Sequence, residues 1–179
     1  MVWARSKLVI QEYPYEQRRD LIMGWSGKNP HKAYLEIYHI LKDVFNVPDS
    51  HIQEIMFQWD TLGDKEKFKV IWRVIKDFDA YSYLRVDVSL SGESVKGYGR
   101  LNVYIKPRFL TEYPQDSLFQ QTILYEIWRR LWHVMYYDRA RARYLEESRA
   151  LLREFQDRLK ELFESLSAEG EEHVSSAKQ

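Results

Sequence analysis

No cysteine occurs anywhere in the 179 residues. Disulfides, thiolate nucleophiles, iron–sulfur clusters and cysteine-ligated zinc are therefore excluded. Glycine is scarce, with seven in all, and no run of them forms a phosphate-cradling loop. Gly24-Trp25-Ser26-Gly27 is one residue short of the GxSxG elbow that presents a catalytic serine. Neither sign of charge is in excess. With 27 basic and 27 acidic residues the net charge is zero, so attraction to nucleic acid or lipid requires a local patch. Long apolar runs are missing too. The nearest, residues 118–137, is interrupted by Gln120, Gln121, Glu126, Arg129, Arg130 and His133, which argues against a bilayer span. Met1 to Lys7 carries no apolar stretch and no cleavage signal, giving the expectation of a cytoplasmic protein.

Metal ligation has little to build on. The histidines are His31, His39, His51, His133 and His173, and no two stand four apart on a helix. No metal and no cofactor is expected. Glu146-Glu147 and Glu171-Glu172 are sequence neighbours, so on a helix they point about 100° apart and form no acid–base pair. His51, Glu54 and Asp60 could serve catalysis, but nothing in their spacing makes them converge. The chain is expected to be non-catalytic.

What is present is apolar and charged residues in quantity, 45% and 30%, with 15% aromatics. That content supports a folded domain, and the high charge with few asparagines leans thermophilic. Residues 6–12 read as a short strand and 15–23 as a short helix, closed by the Gly24–Gly27 loop. Asn29-Pro30 marks a helix start. Tyr34, Ile37, Tyr38, Leu41 and Phe45 give that helix an apolar face before Pro48 ends it. The period then changes to two. Ile55, Phe57 and Trp59, then Phe68 to Val74, Leu84 to Leu90 and Leu101 to Ile105 alternate with polar neighbours. Four strands with short connections predict an antiparallel meander with one buried and one wet face. Ser117 to Gln120 reads as a capping box opening a final helix that meets no Gly or Pro until Gly170.

That last helix divides by pattern. Leu124, Ile127, Trp128, Leu131, Trp132 and Met135 form a broad stripe, expected to pack on the sheet together with Phe57, Trp59, Phe68 and Trp72. Leu152, Phe155, Leu159, Leu162 and Leu166 form a narrow seam at 3-4 spacing, suited to a coiled coil. Such a seam either folds back on the domain or pairs with a second chain, and self-association is the expectation. The predicted fold is α+β: an antiparallel sheet of four or five strands packed on helices. The globular domain is read as 1–137, a helical extension as 138–166, and a polar, disordered tail as 167–179.

The strand–helix–meander–long-helix order over residues 6–137 resembles, in topology, a shortened helix-grip domain of the START and polyketide-cyclase type. The resemblance implies a sheet curled around the last helix and an apolar ligand between them.

The wet face of the meander carries Lys67, Lys69, Arg73, Tyr83, Arg85, Arg100, Tyr104, Lys106 and Arg108, opposed by Glu54, Asp60, Asp77 and Asp87. Basic residues with interleaved tyrosines can attract phosphates and stack bases. The ordinary reading is a solvated face, because strands favour these residue types. Arg139 and Arg143 add a second basic feature on the last helix. The expected function is a non-catalytic interaction protein acting through the helical extension and the basic sheet face. The alternatives are a carrier or sensor of a small apolar ligand, and an RNA-binding protein. Expected partners are a second copy, a protein or an RNA.

Overall fold

The computed structural model describes residues 9–15, 19–113 and 122–176. Strand β1 (Val9–Glu12) and strand β2 (Leu21–Lys28) come first. A single 3-10 turn at Pro30–Lys32 leads into helix α1 (Ala33–Phe45). The meander follows as β3 (Ile52–Leu62), β4 (Lys65–Asp77), β5 (Ser82–Val95) and β6 (Tyr98–Glu112). Helix α2 (Ile123–Trp132), a wide π-helical turn at His133–Tyr137 and helix α3 (Asp138–Ser176) close the chain. The α+β class predicted from sequence is the class observed, with six strands in one antiparallel sheet.

Local chemistry explains most of these elements. Lys96 and Gly97 are the two residues between β5 and β6, and both have positive φ, 52° and 78°. That geometry matches the right-handed twist of a two-residue hairpin. Helix α1 ends on Asn46 in the left-handed region, with its N–H donating to Asp43 O and that of Val47 to Lys42 O. Asn29 does not cap α1 with its side chain. Its own N–H donates to Gly97 O at 2.7 Å, tying the helix entrance to the hairpin.

β1 and β2 are two collinear pieces of one edge strand. β2 pairs with residues 98–105 of β6 and β1 with residues 109–112. The break falls opposite Lys106, Pro107 and Arg108, where Pro107 has no N–H to give a ladder. The short helix predicted at 15–23 and the loop at Gly24–Gly27 are therefore corrected. Residues 16–18 lie outside the described set, and 21–28 are strand. The glycines masked a period-2 signal, in which Leu21, Met23 and Trp25 turn inward while Ile22, Gly24 and Ser26 face out. Gly27 is needed for a close approach: a Cβ there would lie 2.4 Å from the Trp25 ring.

Both α1 and α3 cover one face of the sheet. The core joins Ile37, Leu41 and Phe45 of α1 to Val70, Trp72, Val86, Val88, Leu101 and Val103 of the sheet, and to Leu152, Phe155 and Leu159 of α3. Phe45 meets Phe155 with ring centroids 5.7 Å apart. Trp25 stacks on Phe163 and donates from Nε1 to Ser167 Oγ at 2.9 Å.

This arrangement reverses the roles expected of the last helix. The seam Leu152, Phe155, Leu159 and Leu166 is buried, and Leu162 is half-buried, within a single chain. Of the two fates open to that seam, it takes the fold back onto the domain. Residues 138–166 are part of the globular body rather than an extension, and the backbone stays helical to Ser176. The broad stripe of α2 has the opposite fate. Leu124, Trp128 and Met135 are 74%, 67% and 62% exposed, and Ile127, Leu131 and Trp132 are about half exposed. Phe57 on the edge strand is also half exposed. The predicted capping box at 117–120 lies outside the described residues. The helix is described from Ile123, with Thr122 as cap accepting from the Tyr125 N–H at 3.3 Å.

Candidate functional site

Two surfaces compete. The first is the outer face of the sheet. Strand register sets Gln58, Lys69, Ser91 and Asn102 in one row across β3 to β6, and Asp60, Lys67, Glu93 and Arg100 in the next. These rows floor an open recess of about 410 Å³. Lys69, Arg73, Tyr83, Arg85, Arg100, Tyr104 and Lys106 all lie on this face, which α1 and α3 leave uncovered because they pack opposite. Arg139 and Arg143 do not join it. They sit exposed on α3.

Charges on this face are largely spent on one another. Arg73 donates from Nε to Asp87 at 2.7 Å, and Arg85 lies 3.6 Å from the same carboxylate. Arg100 pairs with Glu93 at 3.0 Å, and Lys106 reaches Asp20 at 3.9 Å. The Tyr83 hydroxyl donates to Glu112 at 2.6 Å, and burial with this bond pushes its pKa up to about 12. The row Asp60–Lys67–Glu93–Arg100 alternates in sign. A polyanion laid on it would meet acids as often as bases. His51, Glu54 and Asp60 do not converge. His51 faces Ile75 O and Asp77, Glu54 accepts from Tyr34, and Asp60 lies in the sheet row.

The second surface is α2 and its attachment to the body. From Tyr125 every fourth residue turns toward the sheet: Tyr125, Arg129, His133, Tyr137 and Arg141. The wide turn carries two of them. Tyr137 OH lies 2.7 Å from Ser82 Oγ, which lies 2.7 Å from Thr111 Oγ1. The same phenol donates to the Asp79 carboxylate at 2.8–2.9 Å. Asp79 also accepts from the backbone N–H groups of Tyr81 and Ser82, both at 2.8 Å. Arg141 donates to Thr111 Oγ1 at 3.1 Å and to Glu12 at 2.7 Å, with its guanidinium over Phe109. Tyr113 OH lies 2.6 Å from His133 Nδ1, and Arg129 lies over the rings of Tyr113 and Tyr125.

Burial favours the neutral form of Tyr113, His133 and Tyr137. Burial lifts the Tyr113 pKa to about 12, against the lowering effect of Arg141 and Arg129. Burial lifts Tyr137 above the ordinary tyrosine range, and Asp79 adds to the effect. Burial, then the Arg141 charge, holds His133 below its ordinary 6.5. The folded state thus prefers a neutral imidazole. The stability from that preference is complete above the unfolded value and is lost as pH falls through it toward the folded value. The melting temperature is expected to drop as pH falls below about 6.5, with His133→Gln flattening the drop. An unchanged slope in the variant would refute a neutral His133.

No protein-family model and no curated protein matches the chain. Among the described residues, no group of three or more His, Asp or Glu forms a metal cluster, and no helix is long and apolar enough to cross a membrane. The space between sheet and α3 is occupied by Trp72, Val88, Val103, Phe155 and Leu159, all at most 1% exposed. A recess of about 280 Å³ lies instead at the base of α2, lined by Tyr81, Tyr113, Tyr125, Trp128, Arg129 and Trp132. Below it, the Tyr113–His133 pair and the Asp79–Tyr137–Ser82–Thr111 chain tie the end of α2 and the wide turn to the body.

Asp79, Ser82, Tyr113, His133, Tyr137 and Arg141 were not singled out from sequence. The strict four-residue spacing from Tyr125 to Arg141 was the available signal. It was hidden beneath the stronger apolar stripe on the other side of the same helix.

Proposed function

We propose that this chain is a non-catalytic interaction protein that docks through the outward face of α2. The observation that carries the reading is the placement of Leu124, Ile127, Trp128, Leu131, Trp132 and Met135 on the helix side facing away from the body. Exposed apolar patches of this kind mark interaction sites, and Trp, Tyr, Met and Arg are the residues enriched in them. The 280 Å³ recess borders the stripe, sharing Trp128 and Trp132 with it, and can seat an anchoring side chain of a partner. The polar clamp anchors the C-terminal end of α2 through His133 and Tyr137, and Arg129 lies over the Tyr113 ring, which lowers the ordering cost of docking.

The test is site-specific photo-cross-linking in the full chain. A photoreactive residue at Ile127 is expected to form a defined adduct with whatever covers the stripe. The same probe at Lys160, exposed on α3, is expected to form none. Equal yields at the two positions would sink the reading.

A further inference from the structure

The stripe leaves open which molecule covers it. We infer that the occupant is a second copy of this chain, joined through an antiparallel α2–α2 contact. This inference rests on the docking role proposed for α2.

Two observations select a second copy. The first is self-complementarity. A two-fold axis passing between Arg129 and Arg130 sets Leu124 against Met135, Ile127 against Trp132, and Trp128 against Leu131. Every stripe residue meets another stripe residue, as an isologous contact requires. At about 100° per residue, Arg130 projects roughly 130° from the stripe's centre, so its charge stays outside the contact. Arg129 is buried on the opposite, body-facing side. Small faces large at two of the three pairings, which suits interdigitation of the tryptophans.

The second observation is area. Taking roughly 150–250 Å² for a whole large side chain, the exposed fractions of the six stripe residues amount to roughly 500–900 Å². That reaches beyond the roughly 300–600 Å² expected for the largest patch on a monomer. It approaches the roughly 800 Å² that each partner buries in a standard interface, and Tyr136, 63% exposed, extends it. The narrower seam at Leu152–Leu166 offers no such area, because the chain's own sheet covers it.

The absence of native cysteine makes the alignment testable. Trp128→Cys chains mixed with Leu131→Cys chains are expected to form disulfide-linked heterodimers faster than either variant forms homodimers. By sedimentation velocity the wild type is expected to be a dimer. Leu131→Glu is expected to weaken it at least about 30-fold, since the lost anchor occurs twice. The melting temperature of that variant's monomer should stay within about 2 °C of wild type's dissociated chain. A wild-type monomer, or a dimer untouched by Leu131→Glu, overturns the inference. Equal cross-linking of Trp128→Cys alone overturns the antiparallel alignment.

The photo-probe at Ile127 separates this failure from failure of the docking role. An adduct with another protein, or stripe-dependent binding of a monomer to vesicles of equimolar phosphatidylcholine and phosphatidylserine, overturns the second copy and keeps a docking surface. A monomeric Leu131→Glu chain that melts more than about 5 °C lower shows that the stripe belongs to the chain's own fold, which overturns both.

Discussion

Leu159→Glu is expected to unfold the domain. Leu159 is fully buried among α1, the sheet and α3. Truncation to alanine at such a site costs roughly 2–5 kcal/mol. A carboxylate there adds desolvation of a charge with no cation to meet it, bringing the total to roughly 5 kcal/mol or more. Domain stabilities run from about 5 to 15 kcal/mol, so the variant sits near or below the folding threshold. Circular dichroism during urea unfolding checks this. The midpoint should fall steeply for Leu159→Ala and vanish for Leu159→Glu. If the Glu variant kept a wild-type midpoint and changed only its sedimentation, α3 would not dock on the sheet, and the seam would be an intermolecular one after all. The contrast with Leu131→Glu on the same continuous helix is the sharpest measure of which half is core.

Asp79→Ala is the second large effect. Its carboxylate accepts from two backbone N–H groups and from the Tyr137 phenol, and Tyr137 in turn contacts the fully buried Ser82. Hydrogen bonds to a charged group contribute roughly 1.5–3 kcal/mol each before the lost charge is counted, and they are not additive. A loss of about 3 kcal/mol is expected. Asp79→Asn keeps an acceptor for the turn and should lose less. In both variants Tyr137 should ionise at lower pH than in the wild type, because the Asp79 contribution that raises its pKa is gone. The difference in alkaline absorbance titration on adding Tyr137→Phe reads that shift. A wild-type titration in Asp79→Asn would mean that Asp79 and Tyr137 are not coupled.

The meander was legible because its signal is local. Alternation at Phe68 to Val74, Leu84 to Leu90 and Leu101 to Ile105 names both the strands and the inward face, and each of those inward residues is buried. Helix α1 was legible for the same reason. The edge strand β2 was not. Gly24 and Gly27 read as breakers, whereas an edge strand with a tryptophan folded over a glycine tolerates them. The last helix was read correctly as a helix, but its two apolar faces were given each other's roles. Periodicity states that a face is apolar. It does not state against what the face packs. The narrow seam looked like a coiled coil because only the packing of α1 and the sheet shows that a slot of that width exists inside the domain. The clamp at Asp79, Tyr113, His133 and Tyr137 joins residues up to 58 positions apart, a juxtaposition that no local pattern encodes.

Side chains and backbone of the N-terminal segment are bonded to the last helix. Glu12 accepts from Arg141, Pro14 O from Arg149, and Trp25 is bonded across 142 positions to Ser167. β1 and β2 pair with β6, about seventy to a hundred residues later. During synthesis these first strands therefore wait unpaired until residues 98–112 have been made, and their side-chain partners on α3 follow later still. Domains closed by such distant contacts fold slowly and pass through an aggregation-prone interval. A chaperone that shields residues 9–28 on the nascent chain would act on this protein at its most vulnerable moment.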